Sequence, residues 1–214
     1  MANIEVVEGP EETLLLTEGP DDVRVIQSLL RSYGYVGRVR MQNSEGYQQL
    51  RNDLEAILDD SRLQRVGIIV DADTNPTNRW VSIRDRLKEC GCDPPKELPG
   101  EGAVFSGPRG TVGVWVMPDN DQTGALEAFL RLLVPEGDPN WEYAGVCVAG
   151  IPKPGGTSEN WGAKAQIHTW LAWQKYPGKA PEQVFTRKYL DPKAQAAQNL
   201  VAWLERLFEL RQER

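Results

Sequence analysis

Three short runs of apolar residues divide the first 120 positions of the chain. They are Thr13–Thr17 (TLLLT), Gly67–Val70 (GIIV) and Val112–Met117 (VGVWVM). Runs of this length that are rich in Leu, Ile and Val are typical of strands covered on both faces of a parallel sheet. Each run therefore predicts a buried strand, and the second is the expected centre of the fold.

A different periodicity, that of an amphipathic helix, follows each of these runs. After the first run, apolar residues recur at Val23, Ile26 and Leu30, and Pro20 suits the first position of a helix. We expect further helices from about Tyr47, over Trp80–Cys90, from Gly124, around Ala163–Gln174 and from about Ala194 to Leu210.

Weaker signals complete the expected sheet. The alternating segment Gly37–Gln42 predicts a strand at the sheet edge, and Ala103–Phe105 and Val146–Ile151 predict two further short strands. Strands that alternate with helices predict an α/β protein with a central, mostly parallel sheet flanked by helices. We expect residues 1–151 to form this core and residues 152–214 to form a C-terminal helical extension packed on the same domain.

The sequence argues against a membrane-spanning or secreted protein. No apolar run approaches the roughly 20 residues that a membrane span needs, and the first residues, MANIEVVEGPEE, carry acids where a signal peptide carries bases. Three cysteines, Cys90, Cys92 and Cys147, indicate a reducing compartment rather than a disulfide framework. We therefore expect a cytoplasmic protein. A single histidine, His168, excludes zinc sites built on several histidines.

The net charge of −7 argues against a broad surface that binds phosphates, as most DNA-coating proteins have. It leaves room for a nuclease, because acids that bind metal subtract from the total charge. Such a protein would meet nucleic acid through a bound metal and a limited basic patch.

Two carboxylates end the central strand. Asp71 and Asp73 follow Val70 at positions i and i+2, so both side chains lie on one side if the strand continues to its end. They are expected at the carboxyl edge of the sheet, where open α/β folds bind their ligands. A like-charged pair in this position needs a cation or a shared proton.

Carboxylates follow the other two buried strands as well. Glu18 and Asp22 come after the first, Asp119 and Asp121 come after the third, and Glu127 lies in the next helix. Because the ends of parallel strands meet at one edge, we expect these acids to converge. Oxygen ligands without histidine or thiolate favour Mg²⁺ or Mn²⁺ over zinc. Two such ions about 3.5–4 Å apart would suit in-line attack on a phosphodiester.

A simpler interpretation exists for part of this set. Asp21, Asp121 and Glu127 stand where acids cap helix N-termini and interact favourably with the helix dipole. One cap requires one carboxylate, so this interpretation does not account for both Asp71 and Asp73.

Two stretches resemble the Toprim domain, the catalytic domain of type IA and II topoisomerases, primases and OLD-family nucleases. They are Leu14–Asp22 (LLLTEGPDD) and Gly67–Asp73 (GIIVDAD). Later stretches resemble small stand-alone Toprim-like proteins: Val114–Asp121 (VWVMPDND), Glu127, Glu159–Ala172 (ENWGAKAQIHTWLA) and the helix around Trp203. The resemblance covers most of the chain and implies a Rossmann-like α/β fold.

The resemblance implies a metal-dependent nuclease that acts on DNA or RNA. Glu18 would be the general acid/base or a metal ligand, and Asp71 and Asp73 would hold Mg²⁺. Asp22 would complete a second metal site, as in OLD-type nucleases.

OLD-type nucleases also use a lysine late in the domain. Lys164, or alternatively Lys153, would stabilise charge on the phosphate in the transition state, although a solvated helix lysine explains Lys164 equally well. The chain has no GxxxxGK[ST] motif, so an OLD-like system would take its ATPase from a separate chain.

Two other functions fit the same sequence. Asp71–Thr74 (DADT) also matches the DxDxT motif of haloacid-dehalogenase-type phosphatases, with Asp71 as nucleophile and Asp73 as acid/base, but that family usually carries the motif on its first strand. A non-catalytic binding module is the other alternative, with a partner surface formed by exposed aromatic residues. The candidates for that surface are Trp141, Trp161, Trp170 and Trp173.

Overall fold

A computed structural model describes residues 5–155, 161–177, 185 and 188–211. A sheet with strand order β1-β3-β2-β4-β6-β5 forms the centre of this described part. Its strands are β1 (Val6–Val7), β2 (Thr13–Thr17), β3 (Met41–Asn43), β4 (Arg65–Asp71), β5 (Ala103–Ser106) and β6 (Thr111–Met117). The four inner strands are parallel, and β1 and β5 are antiparallel edges.

Helices cover both faces of the sheet. They are α1 (Pro20–Ser32), α2 (Tyr47–Leu58), α3 (Pro76–Glu89), α4 (Leu126–Leu132), α5 (Pro139–Ala149), α6 (Trp161–Ala172) and α7 (Gln195–Phe208). The protein is therefore an α/β protein with a mixed, mostly parallel sheet of the Rossmann-like kind, which confirms the fold class expected from sequence. Among the described residues, no helix is long and apolar enough to cross a membrane.

The central strand β4 contributes to two separate cores. Ile69 packs into the cluster that contains α1, α4 and α7, whereas Ile68 and Val70 pack into the cluster that contains α2 and α3. This division follows from the twofold alternation of side chains along a strand. Both faces of β4 are therefore buried, which explains why its apolar run has no polar interruption.

Helix α7 packs closely on the sheet at two adjacent glycines. Gly67 and Gly113 are paired across β4 and β6. A Cβ atom on Gly67 would lie 3.0 Å from Leu207 Cδ2, and one on Gly113 would lie 2.8 Å from the same atom. Trp203 of α7 also donates a hydrogen bond of 3.0 Å from Nε1 to the Ala103 carbonyl of β5. The C-terminal helix is therefore part of the main core.

Two predicted strands require correction. Val146–Ile151 is not a strand, since most of it lies in α5, which begins at Pro139 behind the capping residue Asp138. A short apolar run does not distinguish a strand from a helix, and here the cap and the proline decide. The strand predicted at Gly37–Gln42 starts only at Met41 and lies between β1 and β2 instead of at the edge.

Candidate metal centre

The turn after β2 orients two of the predicted acids. The Thr17 hydroxyl donates to the Gly19 carbonyl at 3.0 Å, and Gly19 N donates to Asp22 Oδ2 at 3.1 Å. Asp22, in the first turn of α1, is thereby folded back towards the strand end and is buried. The sequence Glu-Gly-Pro-Asp-Asp thus places Glu18 and Asp22 on the same side of this turn.

Glu18 connects three elements at the carboxyl edge of the sheet. Its Oε1 atom accepts a hydrogen bond of 2.9 Å from Asp71 N at the end of β4. Its backbone carbonyl accepts a hydrogen bond of 2.8 Å from Gly46 N, the residue that precedes α2. These bonds hold Glu18 beside Asp71.

The carboxylates at this edge act strongly on one another. Burial, followed by the negative charges of four neighbouring acids, raises the pKa of Asp71 to about 9. These neighbours are Asp22, Glu18, Asp73 and Glu127. We call the five residues the acidic cluster.

Two further members of the acidic cluster carry shifted pKa values. Burial, followed by the charge of Glu18, raises the pKa of Asp22 to about 7, against the lowering effect of the hydrogen bond from Gly19 N. Burial also raises the pKa of Glu18, although the hydrogen bond from Asp71 N and the charge of Arg79 oppose the rise. At neutral pH the cluster therefore retains protons when no cation is bound.

The backbone conformation of Asp73 differs from the extended one that the sequence predicted. Strand β4 ends at Asp71, and Asp73 has a φ of 50°, so the strand geometry does not continue to Asp73. Reciprocal backbone hydrogen bonds of 2.9 and 2.8 Å with Gly124 hold Asp73 in place. Its carboxylate is 52% exposed and accepts a short hydrogen bond from the Arg79 guanidinium.

Glu127 and Lys164 form an ion pair next to the cluster. Lys164 Nζ lies 3.3 Å from Glu127 Oε1, and Glu127 is much less exposed than the lysine. Helix α6 thus brings Lys164 to the site through Glu127, whose charge acts on Asp71 and Asp22. The alternative lysine, Lys153, is exposed in the loop that follows α5.

The structure places Asp119 and Asp121 in a turn outside this arrangement. The Asp119 carboxylate accepts backbone hydrogen bonds from Asp121 N at 3.2 Å and Gln122 N at 2.8 Å. Asp121 lines a cavity of about 380 Å³ that is also bordered by Trp80 and Lys96. The structure therefore brings five of the seven predicted acids together and gives Asp119 and Asp121 other surroundings.

Arg79 and Tyr47 belong to the site, and sequence reasoning missed both. Arg79 Nη1 lies 3.9 Å from Glu18 Oε1, and the guanidinium carbon lies 3.7 Å from the centre of the Tyr47 ring. Nothing in the sequence separates Arg79 from other arginines of α3 such as Arg84. Only the packing of α2 against α3 at the sheet edge brings the two side chains together.

The chemistry of the acidic cluster fits a hard divalent cation. All donors are carboxylate oxygens, which Mg²⁺ and Mn²⁺ prefer, and their mutual repulsion is the kind that a cation relieves. Among the described residues, however, no three carboxylate, imidazole or thiolate groups already surround a common point. Cation binding therefore requires the carboxylates, above all Asp73, to move closer together.

Fold and site together define an α/β protein with clustered carboxylates at the carboxyl edge of its sheet. The chain belongs to the family described as "Protein of unknown function (DUF3226)", which matches residues 12–209. No curated protein and no solved structure matches the chain.

Proposed function

We propose that this protein is a metal-dependent phosphoryl-transfer enzyme, a nuclease that cleaves DNA or RNA phosphodiesters with Mg²⁺ or Mn²⁺. The observation that carries the proposal is the convergence of Glu18, Asp22 and Asp71 at the carboxyl edge of the sheet, where Glu18 accepts a hydrogen bond from Asp71 N and the neighbouring acids help to raise the pKa of Asp71 to about 9. Clustering buried carboxylates destabilises a fold, so such a cluster is more readily explained by a ligand than by stability. Its position outside the ends of parallel strands is where ligands of open α/β sheets bind.

The ligand roles follow from position. Asp71, Asp73, Glu18 and Asp22 would hold the cation, which when bound polarises a phosphoryl oxygen and lowers the pKa of water. Glu18 also suits the general base, because its pKa is raised while the Asp71 N–H holds its carboxylate in place.

Glu127 and Lys164 complete the proposed site at its α4 and α6 side. Glu127 would be an additional ligand for a second ion, and Lys164, which pairs with Glu127 in this structure, would stabilise charge on the phosphate. Asp119 is assigned no ligand role, because its carboxylate already accepts two backbone hydrogen bonds. Asp121, exposed on the neighbouring cavity, is likewise left out of the metal site.

The first test is metal binding, because an absent partner can silence cleavage without changing the site. Mn²⁺ is titrated by calorimetry into the wild type, the double variant Asp71→Asn/Asp73→Asn and the control Asp119→Asn/Asp121→Asn. Both double variants remove two carboxylates with the same D-x-D spacing. We expect the first to lose binding and the control to retain it.

Equal Mn²⁺ binding by all three proteins, or none by the wild type, would contradict the proposal. Covalent trapping of beryllofluoride on Asp71 would support the phosphatase interpretation instead. Thermal melting of each variant checks that the loss is not one of folding.

A second candidate is a non-catalytic module that binds a partner, such as a separate ATPase chain. The supporting observation is an apolar patch on α5 and α6, where the rings of Tyr143 and Trp173 lie 5.7 Å apart and are 63% and 41% exposed. Trp170 is buried, and Trp141 packs against it edge to face at 6.1 Å. A partner that is lost on Tyr143→Lys and retained on Asp71→Asn would favour this candidate.

The cellular location remains a proposal as well. Cys90, Cys92 and Cys147 are all free thiols, which agrees with a reducing compartment. We propose that the protein works in the cytoplasm.

A further inference from the structure

Arg79 places a positive charge against the acidic cluster at Asp73 and Glu18. Its side chain is only 12% exposed, and its guanidinium is bonded to the Asp73 carboxylate. The second guanidinium nitrogen, Nη1, lies 3.9 Å from Glu18 Oε1. Arg79 therefore already contacts two of the carboxylates that the proposed function assigns to the metal.

Tyr47 holds the guanidinium independently of these carboxylates. The Arg79 guanidinium carbon lies 3.7 Å from the centre of the Tyr47 ring, well within the range of a cation–π interaction. Helix α2 positions this ring, because Tyr47 is the first residue of that helix. If the carboxylates turned away, Arg79 would still lie against this ring at the border of the site.

A buried donor at the same place lacks a partner. The Tyr47 hydroxyl is buried and has no hydrogen-bond partner among the described residues, and the same is true of Arg51 Nε. The Arg51 guanidinium lies 6.0 Å from the Tyr47 ring. Two guanidinium groups thus border the Tyr47 ring, and guanidinium N–H groups are donors that suit phosphate oxygens.

A divalent cation and Arg79 compete for the same carboxylates. A cation bound by Asp73 and Glu18 repels a guanidinium a few ångströms away and takes over its partners. The planar guanidinium, with several N–H donors in a fork, then matches two oxygens of a phosphate better than a lysine ammonium does.

We propose that Arg79 is both the internal counter-ion of the acidic cluster and the residue that binds the substrate phosphate after a divalent cation displaces it from Asp73 and Glu18. This inference rests on the proposed function, since it needs the metal. It goes further because it names the residue that binds the phosphate and makes phosphate binding depend on prior metal binding. The two ligands must therefore strengthen each other's binding.

The first test is Mn²⁺ calorimetry on the wild type, Arg79→Gln and Arg84→Gln. Arg84 is the matched control, because it lies on the same helix and uses its guanidinium on Asp85 and the Lys96 carbonyl. We expect Arg79→Gln to bind Mn²⁺ about tenfold more tightly than the wild type, because a competing positive charge is gone. A merely structural role of Arg79 would weaken binding instead.

The second test uses inorganic phosphate as the probe, with thermal melting as the readout. In excess Mg²⁺ we expect phosphate to raise the melting temperature of the wild type and of Arg84→Gln, but not of Arg79→Gln. Without Mg²⁺ we expect phosphate to stabilise none of the three proteins.

The outcomes separate the two proposals. A wild type that binds no Mn²⁺ overturns the proposed function and this inference together. A wild type that binds Mn²⁺, with Arg79→Gln equal or weaker, overturns the counter-ion role of Arg79 alone. Phosphate that stabilises Arg79→Gln like the wild type, or stabilises neither in Mg²⁺, overturns the phosphate role.

Arg79→Lys provides a second variant if Arg79→Gln does not fold. It keeps the charge and the cation–π contact but loses the fork of donors. We expect its Mn²⁺ affinity to match the wild type and its stabilisation by phosphate to be clearly smaller. Tighter Mn²⁺ binding by Arg79→Lys, or undiminished stabilisation by phosphate, would contradict the inference.

Discussion

Two D-x-D segments follow neighbouring strands of one sheet and differ in what their carboxylates meet. Asp71-Ala72-Asp73 begins at the last residue of β4, and its first carboxylate is half-buried beside other acids that help to raise its pKa to about 9. Asp119-Asn120-Asp121 follows β6, and its first carboxylate accepts two backbone N–H groups of its own turn. Carboxylates satisfied locally by backbone donors stabilise a turn, whereas carboxylates that face other carboxylates are suited to a cation.

The largest expected difference between the two segments is in catalysis. Glu18→Gln keeps an oxygen for the hydrogen bond from Asp71 N but removes the charge that the proposed function uses as ligand and base. We expect it to lower the cleavage rate by about 10³-fold or more, against less than about twofold for Asp119→Asn. Nicking of supercoiled DNA and cleavage of labelled RNA, each in Mg²⁺ and in Mn²⁺, measure the effect. Equal rates for wild type and Glu18→Gln would refute a role in cleavage.

Metal binding should also depend on pH at the first segment. Bound carboxylates must be deprotonated, so a site that includes Asp22, with a pKa of about 7, and Asp71, with a pKa of about 9, releases protons when Mn²⁺ binds. We expect the affinity to rise about tenfold per pH unit for each proton released, between about pH 6 and 8. Calorimetry in buffers of different ionisation enthalpy counts these protons.

The control for this experiment is Asp119→Asn/Asp121→Asn, which should keep the whole pH dependence. A proton release that is absent from the wild type, or abolished in this control, would break the distinction between the two segments.

Substitutions in the two segments should change the stability of the metal-free protein in opposite directions. Because the folded-state pKa of Asp71 is raised, its contribution to stability is full at acid pH, below its unfolded pKa, and is lost as pH rises towards about 9. Asp71→Asn should therefore raise the unfolding free energy at pH 8 by about 2–4 kcal/mol, less than the full shift because the neighbouring acids share the proton. Asp119→Asn should lower it by about 0.5–1 kcal/mol through weaker turn bonds.

Urea unfolding at pH 5 and pH 8 tests both signs. The gain for Asp71→Asn should be smaller at pH 5. A destabilised Asp71→Asn at pH 8 would mean that the carboxylate supports the fold instead of straining it.

The smallest expected effect concerns the ion pair of Glu127 and Lys164. Lys164 is half exposed, so Lys164→Gln should change the unfolding free energy by less than about 0.5 kcal/mol. If Lys164 stabilises the phosphate, the same variant should still lower the cleavage rate by about tenfold or more, while Lys153→Gln leaves it unchanged. Identical rates for both lysine variants would remove Lys164 from the mechanism.

The sequence predicted the parts of the fold that local patterns determine. Buried strands such as β4 and β6 appear in the sequence as uninterrupted apolar runs, and α7 appears as a helical repeat with one apolar face. The strand predicted at Val146–Ile151 is wrong because a short apolar run fits a strand and a helix equally well, and the cap at Asp138 eight residues earlier decides for the helix. The first strand, β1, is two residues long and leaves no periodicity to detect.

The candidate site was predictable only in part, for a physical reason. The convergence of Glu18 and Asp71 follows from parallel strands that end side by side. The position of Asp73 depends on a backbone turn after the strand, and that of Arg79 depends on how α2 and α3 pack. The three-dimensional arrangement likewise decides which carboxylates accept hydrogen bonds from backbone N–H groups, as Asp119 does.

The two paired glycines beneath α7 restrict which sequences can share this architecture. Leu15 Cδ1 and two α7 side chains lie within 3.0 Å of where a Cβ on Gly67 would be. A relative with a larger residue at that position needs either a smaller residue in place of Leu207 or a C-terminal helix set further from the sheet. Positions 67, 113 and 207 should therefore change together among relatives. Gly67 lies four residues before Asp71, so substitutions at these positions also indicate how closely α7 packs against the strand that carries the acids.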